Sequence, residues 1–325
     1  QILERNITNW EDFSKRGELG INYNRQNKSI NVRGVDADRV STRIDGVPLP
    51  WLTDGARGVQ GGLNAVSFDT LSSISVAGNA DTVRSGAITG SLNLSTLSPH
   101  QLLSGDKNVG ALIKSTYDSA DYSRSIHAAV AGKFSDQSRW LLQAGLKQGD
   151  QLRNYDGVGG YGPNRTQVNP LSFKENNFML KLEQDLTPNH QLELSGERFH
   201  YSADIDNLRD QGPGTNFVLN GNTSHESTQR ERLILGYNYQ ADTPKATLAT
   251  GQIKAWWQQV QLQSHQMAER TPDARGFIIP GDPFQYQFPY GNYERDNRAK
   301  ETSYGVTSAW SGYIDQTSTL HNWSA

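Results

Sequence analysis

The residues best suited to bind a charged or aromatic ligand lie close together in one glycine-rich stretch. They are Trp51, Asp54, Arg57 and Asn64, and Gly55, Gly58, Gly61 and Gly62 lie between them. An indole ring can stack on a planar ligand, and a guanidinium can form paired hydrogen bonds with a carboxylate. The glycines allow positive φ angles and tight packing, which a ligand-binding loop and a merely rigid polar loop both need. The pattern leaves both interpretations open.

Two later segments are rich in tyrosine and glycine. The first contains Tyr155 and Tyr161, and the second contains Tyr286 and Tyr290. Exposed tyrosine-rich loops suit the capture of a small ligand or a protein, because tyrosine offers a large apolar ring with a polar tip. Packing of one loop against another would use the same residues. We treat these tyrosines as candidate ligand-binding residues, with loop packing as the alternative.

Residue types for catalysis or metal binding do not form a recognisable set. The sequence contains no cysteine, which excludes disulfides, thiolate metal sites and a cysteine nucleophile. Its histidines lack metal-ligand spacing, and His265 is best interpreted as an ordinary polar residue on a strand. No nucleophile elbow, zinc-protease motif or phosphate loop occurs. We therefore expect no enzyme, no intrinsic cofactor and no metal site, and the net charge of −3 argues against nucleic-acid binding.

From residue 109 onward, apolar and polar residues alternate as in half-buried β-strands. Ile126, Ala128 and Val130 fall on one face of such a strand, with His127 and Ala129 on the other. Short turns at 135–138, 187–190 and 242–245 alternate with long segments at 149–175, 203–227 and 264–300. This alternation is typical of outer-membrane barrels, whereas such long loops are unusual in a soluble β-sandwich. The sequence predicts about eight to nine strands of a transmembrane β-barrel wall across residues 109–325.

Residues 1–108 predict a small mixed α/β domain. A helical turn is expected near Trp10, a strand from Arg39 to Val47, and a loop from Trp51 to Asn64. An eight-stranded barrel is filled by its own side chains and could not also hold this domain. We therefore expect the chain to be a fragment that holds most of the small domain and the first part of a larger barrel.

Three motifs in the small domain resemble those of one protein family, the TonB-dependent outer-membrane receptors. They are Asn31-Val32-Arg33-Gly34, then Ile44-Asp45-Gly46-Val47-Pro48, and Ser85-Gly86-Ala87-Ile88-Thr89-Gly90. The resemblance implies an N-terminal plug inside a 22-stranded barrel, located in the bacterial outer membrane. It also implies a monomer among outer-membrane lipids that the TonB–ExbB–ExbD complex energises, through a TonB-binding segment that we expect upstream of Gln1.

Within this family, Phe13 to Asn24 and Trp51 to Gly58 look most similar to receptors for haem or haem proteins. The resemblance implies import of haem, taken up free or from a haemoprotein or haemophore, as transported ligand. A ferric-siderophore receptor of the same fold is the alternative, and a surface-binding barrel that does not transport is a third hypothesis. The stretch 51–64 would form the plug apex, and it contains no histidine that could ligate haem iron.

Arg33 and Arg39 are the residues that we expect to hold the plug in the barrel. As plug arginines they would face barrel carboxylates and form a buried ionic lock that opens when the plug is pulled. Two solvated charges on a strand are the alternative interpretation. Because a buried ion pair adds little net stability, a switching role is the more informative hypothesis.

Overall fold

The computed structural model describes ten segments of the chain, and the statements below concern these segments alone. They are residues 7–16, 21–24, 29–32, 35–36, 40–55, 58–77, 91–154, 156–271, 291–316 and 319–324. Six of the predicted site residues lie outside the described residues: Arg33, Arg39, Arg57, Tyr155, Tyr286 and Tyr290.

The amino-terminal part, up to residue 102, is a mixed domain of short elements. It contains helices α1 (Trp10–Arg16) and α2 (Pro99–Leu102) and strands β1 (Ile21–Asn24), β2 (Ser29–Val32), β3 (Val35–Asp36), β4 (Ser41–Ile44), β5 (Val47–Pro48), β6 (Trp51–Asp54), β7 (Gly58–Gly61), β8 (Leu71–Ala77) and β9 (Ser91–Thr96). Its main sheet has the order β5-β4-β9-β8, in which β4 and β9 are parallel. Within the described segments, neither helix is long and apolar enough to cross a membrane.

The core of this domain is aromatic and aliphatic. The Asn9 side chain accepts a hydrogen bond from the Asp12 backbone N–H at 2.8 Å, which caps the start of α1. Trp10 on α1 then packs edge-to-face on Phe68, with 5.0 Å between ring centroids. Ile44 and Leu94, from the paired strands β4 and β9, are fully buried in the same cluster.

Two sequence predictions for this domain are wrong. Residues 39–47 do not form one strand, because Asp45 and Gly46 form a tight turn with φ angles of 51° and 87° that folds β5 back on β4. Positive φ at both central residues is the type I′ hairpin geometry, for which Asp-Gly is a preferred pair. The predicted loop from Trp51 to Asn64 is also a hairpin, made by β6 and β7.

The carboxy-terminal part is one antiparallel sheet of nine strands in sequence order, here called the wall. Its strands are β10 (Val109–Asp118), β11 (Ser123–Ser135), β12 (Ser138–Asp150), β13 (Leu171–Thr187), β14 (His190–Asp206), β15 (Phe217–Gln240), β16 (Thr250–Arg270), β17 (Gly291–Gln316) and β18 (Thr319–Ser324). The predicted barrel-type sheet of about eight to nine strands is confirmed.

The outer face of the wall is exposed and apolar, which is the reverse of a soluble sandwich. One row across eight strands, defined by the pairing register, consists of Ala111, Val130, Leu142, Leu180, Gly196, Leu233, Trp257 and Tyr304. Tyr304 is 81% exposed and Leu233 is 50% exposed. The inner face is polar and buried, with Gln143, Lys181, Glu197, Arg230 and Gln258 among its residues. Apolar outside and polar inside is the pattern of a membrane barrel.

The exposed apolar residues of the outer face form a belt around the wall, here called the apolar belt. This belt runs obliquely to the rows of residues that pair across the strands. On β11 its upper edge is Ile126, whose row continues through the register to Lys300 on β17. On β17 the belt begins four residues lower, at Tyr304. A flat membrane boundary produces this offset only if the strands are tilted, as they are in closed barrels.

Three of the predicted long loops are shorter than expected, because the strands continue beyond the belt. The strands that flank the three predicted loops end at Asp150, Asp206 and Arg270 and resume at Leu171, Phe217 and Gly291. Outward residues above the belt, such as Ser202 and Asp204, are polar, so the apolar alternation stops there while the backbone pairing continues. The turn expected at 242–245 is part of a longer connection, 241–249.

Replacement of Val306 by arginine should separate a lipid-facing wall from a water-facing one. Val306 is 71% exposed and lies one step inside the belt from Tyr304, so Val306→Arg should lower the free energy of unfolding by about 1–3 kcal/mol, between the interface and midplane costs, if the site faces lipid. Thr302→Arg lies on the same face of β17 but above the belt, and it should cost about 0–1 kcal/mol. Urea titration of the protein folded into phosphatidylcholine vesicles measures both. Equal effects would contradict the lipid-facing assignment.

Candidate functional site

Four charged side chains form a buried ion cluster where the amino-terminal domain meets the wall. Asp45 comes from the β4–β5 turn, Glu197 from β14, and Arg230 and Arg232 from β15. Arg232 Nη2 lies 2.8 Å from Asp45 Oδ2 and 2.6 Å from Glu197 Oε2. Arg230 Nη2 lies 2.5 Å from Glu197 Oε1, and both side chains are at most 1% exposed. Arg232 therefore links the amino-terminal domain to the wall, and Arg230 is the second partner of Glu197.

Strand register brings the wall members of the ion cluster together. Glu197 and Arg232 are cross-strand partners, and Arg230 lies two residues away on the same inner face. Their immediate neighbours Arg198 and Glu231 point outward and form a looser pair at 3.7 Å, with side chains 59% and 35% exposed. A Glu–Arg pair is thus desolvated on the inner face and solvated on the outer face. Loss of one partner should therefore lower the stability strongly only at the inner pair.

Wall side chains also bind backbone carbonyls of the β4–β5 hairpin. Arg232 Nη1 donates to Ile44 O at 2.6 Å, and Lys254 Nζ donates to Asp45 O at 3.0 Å. Gln258 Nε2 donates to Pro48 O at 2.8 Å. These carbonyls face the wall rather than a strand ladder, so each needs a side-chain donor when it is buried. The hairpin is therefore held by its backbone as well as by its charge.

Asp45 is fixed in place before it meets the wall. Thr96 donates its backbone N–H to Asp45 Oδ1 at 2.9 Å and its hydroxyl to Oδ2 at 2.7 Å. Burial raises the pKa of Asp45, but the charges of Lys181 and Arg232 and the Thr96 hydrogen bonds outweigh it and hold the pKa well below the ordinary value. The carboxylate is therefore ionised at any physiological pH.

A second ionic contact joins the domain to the first strands of the wall. Asp69 pairs with Lys114 of β10, and its Oδ2 lies 2.9 Å from His127 Nε2 of β11. Lys114 Nζ also donates to Thr8 O at 3.2 Å. Burial raises the pKa of Asp69, and the interactions with His127 and then Lys114 outweigh it, so the pKa is lowered overall.

A neutral bridge lies between the two ionic contacts. Asn177 of β13 donates Nδ2 to the Ser67 hydroxyl at 3.1 Å, and its Oδ1 accepts from Gln143 Nε2 at 2.9 Å. All three residues are buried. The described part of the domain is thus attached to the wall by several polar contacts, including a hydrogen bond from Arg230 Nε to Ala65 O at 2.7 Å, and in the ion cluster a carboxylate of the domain meets an arginine of the wall.

The predicted apex residues lie on the β6–β7 hairpin and after it. Trp51 is half-buried, and its ring packs so closely on Gly62 that a Cβ there would lie 2.6 Å from the indole. Asn64 donates Nδ2 to Gln60 Oε1 at 3.3 Å. Asp54 is 3% exposed, so its carboxylate does not face open space. The hairpin reaches the wall through Leu52, which packs with Val260 and Leu262.

Tyr161 lies between two connections of the wall. Its ring occupies the space beside Gly212, where a Cβ would come within 2.7 Å of it. Gly162 N–H of the same connection donates to Leu208 O at 2.9 Å. This arrangement fits loop-to-loop packing, although 49% of the Tyr161 surface is exposed.

The sequence reasoning missed Arg230, Arg232 and Glu197 and anticipated the opposite polarity, with arginines on the domain and carboxylates on the wall. In the ion cluster the carboxylate of Asp45 comes from the domain and the arginines come from the wall. The sequence does contain a signal for the two arginines. Positions 230 and 232 are even, whereas the apolar outward residues Leu233 and Leu235 are at odd positions, so alternation places both arginines on the inner face. His265 lies on the outer face, 3.6 Å from Glu294 Oε1, and no metal-ligand cluster occurs in the described part of the chain.

Comparison with known proteins matches both parts of the chain. The family model described as "TonB-dependent Receptor Plug Domain" matches residues 1–91. Hemoglobin-haptoglobin-binding protein A of Haemophilus influenzae is 25% identical over 246 residues, which cover 67% of this chain and 23% of that protein. Transferrin-binding protein A of the same species is 25% identical over 146 residues, 41% of this chain and 16% of that protein. The chain spans about a quarter or less of the length of these relatives.

Solved structures show the same fold at low sequence identity. The FrpB iron transporter from Neisseria meningitidis superposes with a TM-score of 0.62 at 15% identity, covering 97% of this chain and 45% of that one. FpvA of P. aeruginosa, bound to a pyoverdine–iron complex, gives a TM-score of 0.50 at 12% identity, covering 98% and 49%. The amino-terminal domain is therefore similar to a receptor plug, and together with the wall it has the fold of these solved structures.

Acidification should weaken the attachment of the plug hairpin to the wall through Asp45. The folded pKa of Asp45 lies below its unfolded value of about 3.9, so its stabilisation is complete above that pH and is lost as pH falls through the folded pKa. Asp45→Asn should remove about 3 kcal/mol of protection near pH 7 and flatten the acid dependence, because Arg232 loses its charged partner on the plug. Amide hydrogen exchange of residues 41–48, followed from pH 7 to pH 3, measures both effects.

Glu231→Gln is the matched control, since it removes a carboxylate on the outer face of β15, between Arg230 and Arg232. It should change protection of the hairpin by less than about 1 kcal/mol. An Asp45→Asn protein that keeps wild-type protection and wild-type acid dependence would show that the ion cluster does not hold the plug.

Proposed function

We propose that this chain, whose plug and barrel wall are those of a TonB-dependent outer-membrane receptor, serves the active import of an iron-bearing ligand. We further propose haem as that ligand. The plug family match and the receptor fold support iron-related uptake. The names of relatives that bind haemoglobin support the finer choice. The observation that carries the transport proposal is the ion cluster, which holds the β4–β5 hairpin of the plug against the wall through charges.

The ion cluster suits a contact that must open and close again. When the β4–β5 hairpin leaves the wall, Arg232 keeps Glu197 as a partner, and Asp45 keeps its two hydrogen bonds from Thr96. Asp45 and Arg232 thus each keep a hydrogen-bond partner, but opening leaves one net negative charge on the hairpin and one net positive charge on the wall, a cost that the applied displacement must overcome. Displacement of the hairpin breaks the Asp45–Arg232 bond and the carbonyl contacts beside it, and movement of the whole plug also breaks the contacts of Asp69 and Ser67 with the wall.

The arrangement of contacts favours force applied to the plug as the trigger. Arg232, Lys254 and Gln258 all bind the same hairpin, so one displacement of that hairpin breaks their contacts together. We propose that the TonB–ExbB–ExbD complex supplies this displacement. A surface-binding barrel whose plug never moves would gain nothing from contacts grouped in this way.

A ferric siderophore is the second candidate ligand. It is supported by solved structures of the same fold that hold siderophore–iron complexes, although this likeness concerns the fold alone. Uptake assays with haemin and with ferric siderophores distinguish the two candidates. Growth on siderophore iron with no growth on haem iron, in a strain with this receptor alone, would replace haem by a siderophore.

A reversible cross-link between plug and wall tests the transport proposal directly. Ser67→Cys with Asn177→Cys replaces two side chains in direct contact, and the sequence offers no competing cysteine. Under oxidising conditions the double variant should still bind haemin at the cell surface, while haemin uptake falls to the level seen after collapse of the proton-motive force. Dithiothreitol should restore uptake.

The matched control places a disulfide inside the wall rather than across the interface. Thr116 and Ser125 are cross-strand partners with hydrogen-bonded hydroxyls, so Thr116→Cys with Ser125→Cys should cross-link without blocking uptake. Normal uptake by the oxidised Ser67→Cys/Asn177→Cys protein would contradict plug movement as the transport step.

A further inference from the structure

Tryptophan rings cover two glycines on the outer face of the wall. A Cβ on Gly132 would lie 2.5 Å from the Trp140 ring, and a Cβ on Gly251 would lie 2.1 Å from the Trp310 ring. Each tryptophan is the cross-strand partner of its glycine. A glycine within a strand has no side chain to pack, and the ring of a neighbouring strand compensates for this loss.

Gly196 of β14 lies on the same face and has no such cover. Its cross-strand partners are Leu180 and Leu233. Among the described residues, only Leu233 Cδ1 would lie within 4 Å of a Cβ at this position, at 3.9 Å. The φ angle of Gly196 is not positive, so the backbone does not require a glycine here. Gly196 therefore leaves an opening in the apolar belt that neither packing nor backbone conformation explains.

The opening belongs to a shallow groove of about 420 Å³ between neighbouring strands. Beside Gly196, the groove is lined by Phe178, Leu180, Leu233 and Trp257. Phe178 is 49% exposed and Leu233 is 50% exposed, so these side chains border the groove without closing it. Because the apolar belt faces the hydrocarbon of the membrane, the group that lies in this groove is an acyl chain.

A loosely paired arginine lies at the upper end of the groove. Arg198 is one outward step above Gly196, and it lines the groove together with its cross-strand partner Glu231. Arg198 Nε lies 3.7 Å from Glu231 Oε1, and the Arg198 side chain is 59% exposed. The same row continues to Gln259 and Thr302, which are polar, so this row lies at the upper boundary of the apolar belt. The guanidinium is therefore placed at the depth of lipid headgroups.

A lipid phosphate is a better partner for Arg198 than Glu231 is. Exposed ion pairs at such a distance contribute little to stability, so the present pair is easily exchanged. A guanidinium forms two parallel hydrogen bonds with a phosphate, and charge-assisted bonds of this kind are stronger. Attraction between the charges also increases beside the membrane, where less water screens them. Arg198 can therefore leave Glu231 for the phosphate of a lipid whose chain lies in the groove.

We propose that this groove binds one lipid A molecule of the extracellular leaflet, with an acyl chain over Gly196 and a headgroup phosphate on Arg198. Strand β14 continues upward from Arg198 to Asp206, where a long connection begins. Long connections lie on the extracellular side of outer-membrane barrels, so the arginine faces the headgroups of that leaflet. The lipid site is on the outer face of the wall, and it does not depend on which ligand the protein imports.

Native mass spectrometry of the purified protein in detergent tests the lipid site. Lipid A and dephosphorylated lipid A are titrated separately, since the two probes have the same acyl chains and differ only in their phosphates. The wild type should hold one molecule of lipid A, with a Kd about tenfold lower than that of the dephosphorylated form, because a charge-assisted hydrogen bond is gained. Equal affinity for the two lipids would contradict the contact between Arg198 and a phosphate.

Three variants separate the chain, the phosphate and the competing carboxylate. Arg198→Gln should weaken binding of lipid A about tenfold and leave the dephosphorylated form unchanged. Gly196→Phe should weaken binding of both lipids, because its ring fills the groove, and the open space at this position allows the wall to fold. Glu231→Gln should strengthen binding of lipid A, since Arg198 loses its competing partner, and a misfolded protein would not show this gain. Weaker binding in Glu231→Gln would count against the proposal.

Arg124→Gln and Ala128→Phe are the matched controls on the outer face of β11. Arg124 lies one outward step above Ile126, the upper edge of the belt on that strand, and Ala128 lies on the row of Arg198. Both controls should leave the Kd for lipid A unchanged. Equal losses in the controls would overturn the lipid site in favour of general attraction between lipid and wall. Wild-type Kd values in Arg198→Gln and Gly196→Phe would overturn it as well.

Discussion

The guanidinium of Arg232 is the contact on which the arrangement of the plug in the wall depends. It binds Ile44 O, the Asp45 carboxylate and Glu197 at once, and so joins a backbone, a plug charge and a wall charge. Only arginine has enough donors in a fixed planar geometry to do this. Since a fully buried ion pair adds little net stability, its value here is positional: it fixes where the hairpin sits and makes one bond the point of release.

The polarity of the wall explains why a plug is needed at all. The membrane requires an apolar outer face, so the alternation of each strand forces polar residues such as Lys181 and Glu197 to the inside. In the structure these residues are buried because the plug covers them. The inner face therefore supplies the donors that satisfy plug carbonyls.

Much of this architecture could be predicted from the sequence, because its signals are local. Alternation around Val130 and Leu235 revealed the strands, and Ile44-Asp45-Gly46-Val47-Pro48 pointed to the plug. The hairpin at Asp45 was missed because an apolar–polar pattern does not show where a strand folds back; only the Asp-Gly pair does. Arg232, the wall partner of Asp45, was missed because it lies 187 residues away, and pairing across that distance depends on register and tilt rather than on any local pattern. Loop lengths were overestimated where strands leave the lipid and lose their apolar residues.

A double-mutant cycle between plug and wall tests the central claim most directly. Asp45→Asn, Arg232→Met and the double variant are compared by the free energy of plug unfolding in the folded protein, measured by urea titration. If Arg232 holds the plug through Asp45, the two substitutions should be coupled by at least about 1.5 kcal/mol, as close buried charge pairs are. Additive effects, with a coupling free energy near zero, would contradict the account.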